Sequence, residues 1–345
     1  MSHCTEALAG AVEALLREQG LQLTMGGEPT FIPPTPESPE WNGAAMGPEK
    51  LGYARRFMAR ALDRLCPGAV VMQASGKTYP GEAVPRWALL ALYRNDGEPL
   101  WRDRELFLLD DVPGANLSET AFVLMSALAE RLGFSDQVLP CFEEQTPDLP
   151  RAWALPLDHC EGAFRTDDWP FTENGLPLVA GESSAGFRLP LEMLDEERLH
   201  RALTVEVTAG ALHVVIPPLD WPAFEELVLL IEHSATELGI SDLVLCGYRP
   251  PAHPGVSSLG LTPDPGVLEV NLPPTRSWTD YDQLLRAVTE LAAEQGLRTS
   301  RLHFNGQVQG TGGGAHVLFG GPSLDANPFF ARPDLLASIV RYWQS

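Results

Sequence analysis

The chain of 345 residues predicts an α+β fold with a largely antiparallel sheet and flanking helices. Three observations carry that expectation. Apolar runs of strand length recur along the chain, and longer stretches with helical spacing lie among them. Two of the short runs, residues 203–207 and 212–216, stand close enough around Ala209-Gly210 to form a hairpin. A regular alternation of strand and helix, as in a Rossmann fold, does not produce that spacing.

The elements follow in order. Residues 6–19 place Leu8, Val12, Leu15 and Leu16 on one side of a helix that Gly20 ends. Residues 21–25 alternate as a strand and run into Gly26-Gly27-Glu28-Pro29-Thr30-Phe31, followed by a proline-rich loop at 33–39. Pro48 opens a helix to residue 64, stopped by Pro67-Gly68. A strand at 70–72 and a helix at 118–132, closed by Gly133, come next. Residues 146–150 read as a linker, which divides the chain into parts 1–148 and 149–345. The second part holds the hairpin, a helix at 222–238 ended by Gly239, and strands at 243–245 and 267–270. A helix capped by Ser277 runs to 294, strands are expected at 302–304 and 316–319, and an apolar helical stretch at 335–340 closes the chain.

Charge narrows the partners. With 46 acidic and 24 basic residues the formal net charge is −22, which repels nucleic acid and anionic membrane surfaces. The longest apolar runs, such as 87–93, are too short to span a bilayer. Five cysteines, widely spaced and without a CxxC, argue for reduced thiols and a cytoplasmic protein. Residues 1–6 lack the basic and apolar regions of a signal peptide.

The segment most suggestive of chemistry is Gly-Thr-Gly-Gly-Gly-Ala-His at 310–316, ahead of Val317-Leu318-Phe319. Gly312, Gly313 and Gly314 let backbone approach a ligand closely, and His316 begins a strand that would hold its imidazole rigidly. Glu269 lies within a second apolar strand, where a carboxylate is costly unless paired or on a metal. The two strands are expected to be neighbours, with Glu269 and His316 jointly holding Mg²⁺ or Mn²⁺ beside nucleotide phosphates. Glu28, in a Gly-Gly-Glu-Pro turn, points into a cleft or is a solvated loop residue.

Other motifs are weaker. Ser75-Gly76-Lys77-Thr78 resembles the end of a phosphate-binding loop, but Val71 stands where a glycine is needed and Pro80-Gly81 prevents the following helix. Lys77 then contacts an anion or is a plain loop lysine. Residues 181–186 fail as a nucleophile elbow because Ala185 replaces the last glycine. Arg188 binds a carboxylate or phosphate, or forms a structural salt bridge. Cys246 would need His253 or His159 as a base, and His213 and His233 read as packing or surface residues.

Residues 23–31 resemble the opening motif of the amidoligase family known as the domain of unknown function DUF2126, often found with transglutaminase-like domains. Further similarity runs in order through 76–82 with 85–89, 97–103, 153–157, 186–191, 262–271, 310–316 and 332–336. The resemblance implies a glutamine synthetase-like carboxylate–amine ligase fold and a sheet-lined site for ATP and Mg²⁺ (or Mn²⁺). ATP would activate a small-molecule or peptide carboxylate as an acyl-phosphate, and an amine would displace phosphate to form an amide. On that reading Glu269 and His316 hold metal, and Glu28 and Arg188 act in catalysis. Lys77, Gly312, Gly313, Gly314 and Asn271 bind cofactor and orient substrate. This chain departs from the family pattern at Cys246, Val308 and Ala315, where glutamate, histidine and asparagine are usual, and the family continues beyond residue 344. Those departures imply the alternative, a catalytically degenerate scaffold whose exposed apolar edge pairs with a partner chain supplying the missing C-terminal part.

Overall fold

A computed structural model describes residues 3–82, 84–109, 114–171, 175–302 and 305–345. Among them are seven α-helices: α1 His3–Glu18, α2 Pro48–Arg64, α3 Ser118–Leu132, α4 Trp221–Leu238, α5 Trp278–Glu294, α6 Pro328–Ala331 and α7 Pro333–Gln344. The strands of the first half are β1 Thr24–Glu28, β2 Thr30–Phe31, β3 Val70–Ser75, β4 Trp87–Arg94, β5 Leu139–Phe142, β6 Ala152–Pro156, β7 Asp158–Cys160, β8 Ala163–Arg165 and β9 Leu176–Pro177. Those of the second are β10 Ala202–Thr208, β11 Ala211–Ile216, β12 Leu243–Gly247, β13 Val256–Asp264, β14 Val267–Asn271, β15 Ser300–Leu302, β16 Val308–Gly310 and β17 His316–Gly320. The fold is α+β with mostly antiparallel pairing, as expected.

Two expectations shift. The first strand begins at Thr24, so residues 21–23 precede it. The strand expected at 302–304 is observed as Ser300–Leu302, and residues 303 and 304 lie outside the described set.

The chain divides into two compact units, Met1–Phe57 with Ser258–Ser345, and Met58–Ser257. The expected boundary at 148/149 falls inside the second. There, β5 and β6 pair antiparallel on either side of residues 146–150.

In the first unit β1 pairs antiparallel with β17, β2 with β14, and β14 with β13. Helix α5 packs against β1 and against α1. Its Ser277 N-cap accepts a hydrogen bond from the Asp280 amide at 3.0 Å. Phe31, Ile32, Leu268, Val270 and Leu291 fill the core.

In the second unit the strand order is β4-β3-β12-β11-β10-β6-β5-β9, parallel only at β3–β12, β12–β11 and β5–β9. The β10–β11 hairpin turns at Ala209-Gly210, as the spacing required. Helix α3 lies on β6 and β10 and packs against α4, whose Phe224, Leu227 and Ile231 are buried. The other sheet face carries Ala152, Ala154, Leu139 and Cys141, packed under Trp169, Leu176, Ala185 and Leu189 of a long connection. Among the described residues no helix is long and apolar enough to cross a membrane.

The start of α2 is held by a buried carboxylate. Glu40 accepts hydrogen bonds from the Lys50 amide at 2.8 Å and the Glu49 amide at 3.2 Å. It thus satisfies two amides that the helix cannot pair internally and places negative charge at the positive end of the helix dipole. Glu40→Ala is expected to lower the unfolding free energy by about 1–2 kcal/mol in urea titration, with Glu40→Gln less damaging.

Candidate functional site

The strand–turn–strand of β1 and β2 lies at the centre of the candidate site in the first unit. On one side β1 runs antiparallel to β17 in a register that sets Glu28 opposite His316. On the other side the Gly27 and Pro29 carbonyls accept from the Leu272 and Val270 amides at 2.9 and 3.0 Å, which sets Glu28 beside Asn271. The register continues with Thr30 opposite Glu269. Directly opposed residues point to the same face of a sheet, so His316, Glu28, Asn271, Glu269 and Thr30 share one surface.

The expectation that the strands of Glu269 and His316 are neighbours is corrected: β1 and β2 run between them. The imidazole meets Glu28 instead, with His316 Nδ1 3.0 Å from Glu28 Oε2. The His316 ring is mostly exposed, whereas the Glu28 side chain is only 21 % exposed. Glu269 is 3 % exposed. Its carboxylate accepts from Thr262 Oγ1 at 3.1 Å and from Asn271 Nδ2 at 3.2 Å, and Asn271 also donates to Thr262 Oγ1 at 3.0 Å. Buried Glu269 with half-buried Asn271 therefore forms the floor, and Glu28 with His316 the edge.

The glycine loop is pinned to this floor. Buried Thr311 shares a hydroxyl hydrogen bond of 2.7 Å with Thr30, and Gly313 packs against Thr30 and Val267. Gly314 lies under the histidine: a Cβ there would stand 2.6 Å from His316 Nε2, so only glycine lets the ring occupy its place. Gly312 has φ of +94°, and Arg301 Nη2 approaches the position its Cβ would take within 3.5 Å. The loop thus combines a left-handed backbone position with a nearby guanidinium, both suited to an anion. Thr30, Thr311, Thr262 and Arg301 were not legible as site residues, because each is an ordinary residue type at an unremarkable spacing.

A family model described as "Putative amidoligase enzyme (DUF2126)" matches residues 3–159 and 193–345. The chain belongs to that family. The DUF2126 match contains every residue of the surface just described, and leaves out 160–192, where the Gly186 to Leu191 motif and Arg188 lie. No curated protein and no solved structure matches the chain.

Lys77 and Arg188 of this DUF2126 chain belong to the second unit. Lys77 is exposed in the turn after β3, and its carbonyl accepts from the Arg86 amide at 3.0 Å. Arg188 is buried. It forms a two-pronged ion pair with Glu143 and donates to the Ser183 and Val179 carbonyls at 2.8 and 3.1 Å. Of the two roles the sequence left open for it, this is the geometry of a salt bridge.

The proposed bases for Cys246 are elsewhere. His159 stands 3.5 Å from Asp220, and His253 stacks on Trp221. The thiol instead faces His213, which was read as packing; Cys246 Sγ is 3.7 Å from His213 Nδ1.

Among the described residues no three His, Cys, Asp or Glu side chains converge as a protein-built metal cage. Mg²⁺ in nucleotide sites needs none, since one or two carboxylates suffice when phosphates and water complete the shell. Glu28 is the accessible carboxylate that fits this demand, and the glycine loop with Arg301 fits the phosphates.

The Arg188 guanidinium holds the Glu143 carboxyl below its ordinary value of 4.5. A carboxyl depressed in the folded state stabilises the fold above its unfolded value, and that contribution fades as pH falls through the folded value. Arg188→Met is expected to cost roughly 2–3 kcal/mol at neutral pH. It should also flatten the loss of stability below about pH 4.5; thermal unfolding across an acid pH series checks both.

Proposed function

We propose that this chain is an ATP-dependent carboxylate–amine ligase of the glutamine synthetase type, acting through an acyl-phosphate on a small-molecule or peptide substrate. The observation that supports it is the pairing of Glu28 with His316 at 3.0 Å beside a glycine loop pinned by Thr30 and Thr311. Family membership supports ligase chemistry at the coarser level. Bound Mg²⁺-ATP would supply the phosphoryl group that activates the carboxylate.

The chain's own residues divide the remaining work. Glu28 binds the cation, and His316 donates to or accepts from Glu28 and so sets the carboxylate's direction. Backbone amides of the loop and the Arg301 guanidinium bind anionic oxygens. Asn271 orients the floor through its bonds to Glu269 and Thr262.

The reading is tested by ADP and phosphate release that depends on both a carboxylate and an amine. Titration calorimetry with Mg²⁺-ATP should give a dissociation constant raised tenfold or more by Glu28→Gln and by His316→Ala, on the order of the effects of disturbing a metal site. Gly314→Ala should do the same by displacing the imidazole, with little change in melting temperature. No nucleotide binding by the folded parent chain would end this reading.

A second reading, a scaffold that associates with another chain, is favoured by one surface of the first unit. Helix α1, β1 and β17 border an apolar cleft of about 810 Å³ lined by Leu8, Val12, Leu16, Met25, Trp278 and Phe319. Helix α7 adds exposed Leu336, Val340 and Trp343 at helical spacing. Such surfaces mark sites of association. Sedimentation that shows a strict monomer at high concentration, with no binding of an apolar dye, would remove this reading.

A further inference from the structure

We infer that the second unit carries a thiol site, separate from the glycine-loop surface, in which Cys246 is a nucleophile toward an activated ester or amide carbonyl and His213 its base. The two side chains lie on adjacent parallel strands, β12 and β11, near the middle of the sheet. Cys246 Sγ lies 3.7 Å from His213 Nδ1, and the thiol also donates to the Val244 carbonyl at 3.6 Å. A thiol hydrogen-bonded to imidazole is the arrangement that generates a thiolate near neutral pH.

Two further features point to a ligand. On the other side of Cys246, β3 places Gln73 in register with it, on the same face. Gln73 Oε1 is buried and has no hydrogen-bond partner among the described residues. A buried amide end left without a partner is costly, and here it stands beside a nucleophile. Turned about its terminal bond, the same amide offers an NH₂ donor to an oxyanion. Thr204, on the same face two strands away and beyond Val215, is almost fully buried, and its Oγ1 has no hydrogen-bond partner among the described residues.

Cys246 is only 3 % exposed, beside the half-buried His213. It sits one residue before the end of β12, at the carboxyl ends of the parallel strands β3, β12 and β11, where α/β sheets bind ligands. Exposed Phe187 and Tyr248, with ring centroids 6.0 Å apart, stand near this strand end. Cys246 packs with Ala211, Val215, Val244 and Leu108, so the acyl group expected is small.

The thiol proton passes to His213 and the sulfur attacks the carbonyl carbon. The carbon–oxygen or carbon–nitrogen bond breaks, and the alcohol or amine leaves with the proton from His213. A thioester remains on Cys246, and water or an amine restores the thiol and releases the acid or amide. No nucleotide or metal is needed, so the site works whether or not the ligase reading holds.

The test uses p-nitrophenyl acetate and iodoacetamide on the full chain, with peptide mass mapping. Cys160, exposed in the β7–β8 hairpin, is the internal control. The acetyl group is expected on Cys246 before hydrolysis, absent in Cys246→Ser, and formed on the order of a hundredfold more slowly in His213→Ala. Cys160 should react at the same rate in every variant. His213→Asn, which keeps the side chain's shape, serves if the alanine variant misfolds. Gln73→Leu should slow acetylation about tenfold without blocking iodoacetamide. Labelling of Cys246 only after urea is added, or at an unchanged rate in both His213 variants, would overturn the proposal.

Discussion

The first unit depends on one constraint: the segment from Thr24 to Ile32 is held on both sides by chain that lies far away in sequence. Met25 exchanges backbone hydrogen bonds with Thr275, Ile32 does so with Arg298, and β17 takes the remaining edge of β1. Every group of the candidate surface is set by these pairings. Shift the register by one residue and Glu28 would turn away from His316, since neighbours along a strand face opposite sides. The intervening unit, Met58–Ser257, is an excursion between the two halves. Closing so long a loop is tolerable because each doubling of its length adds only about 0.6 kcal/mol.

The polar floor shows how a carboxylate is kept in an apolar strand. Glu269 is flanked by Leu268 and Val270, both fully or nearly fully buried, yet it has hydroxyl and amide donors from Thr262 and Asn271. Those donors come from β13 and from its own strand, and both bond the same oxygen, Glu269 Oε1. Glu28 is the complementary case, a partly exposed carboxylate beside the His316 imidazole. That both acids lie on one sheet face follows from strand register.

Much of the fold was legible where local rules act alone. Pro48 and Arg64 bound α2, Ser118 and Leu132 bound α3, and Ser277 caps α5, each as proline, glycine or capping chemistry requires. Strands without alternation were harder. Trp87–Arg94 is a continuous apolar run buried in a sheet, and Val256–Asp264 mixes serine, glycine and proline, so neither carries a period of two. Of the candidate site, Glu28, Glu269, Asn271, His316 and the glycines were singled out by their strand and loop context, and the register sets the four side chains on one sheet face. Their pairing was not legible, because strand order depends on contacts between residues separated by most of the chain. The same reason hid His213 from Cys246: they are 33 positions apart and meet only because β11 and β12 are adjacent.

The two-sided pairing of the early strand also bears on how the chain is made. Synthesis runs from the N-terminus, so Thr24 to Phe31 leaves the ribosome long before the residues that cover either edge. At about 5–20 residues per second, the strand waits roughly 15–60 s for β17. Throughout that interval it is an open template for the wrong neighbour. Pro29 removes one amide from that edge, and Gly26-Gly27 weakens the strand's intrinsic preference for pairing. The residues that shape the finished surface therefore also keep the nascent strand from settling too soon.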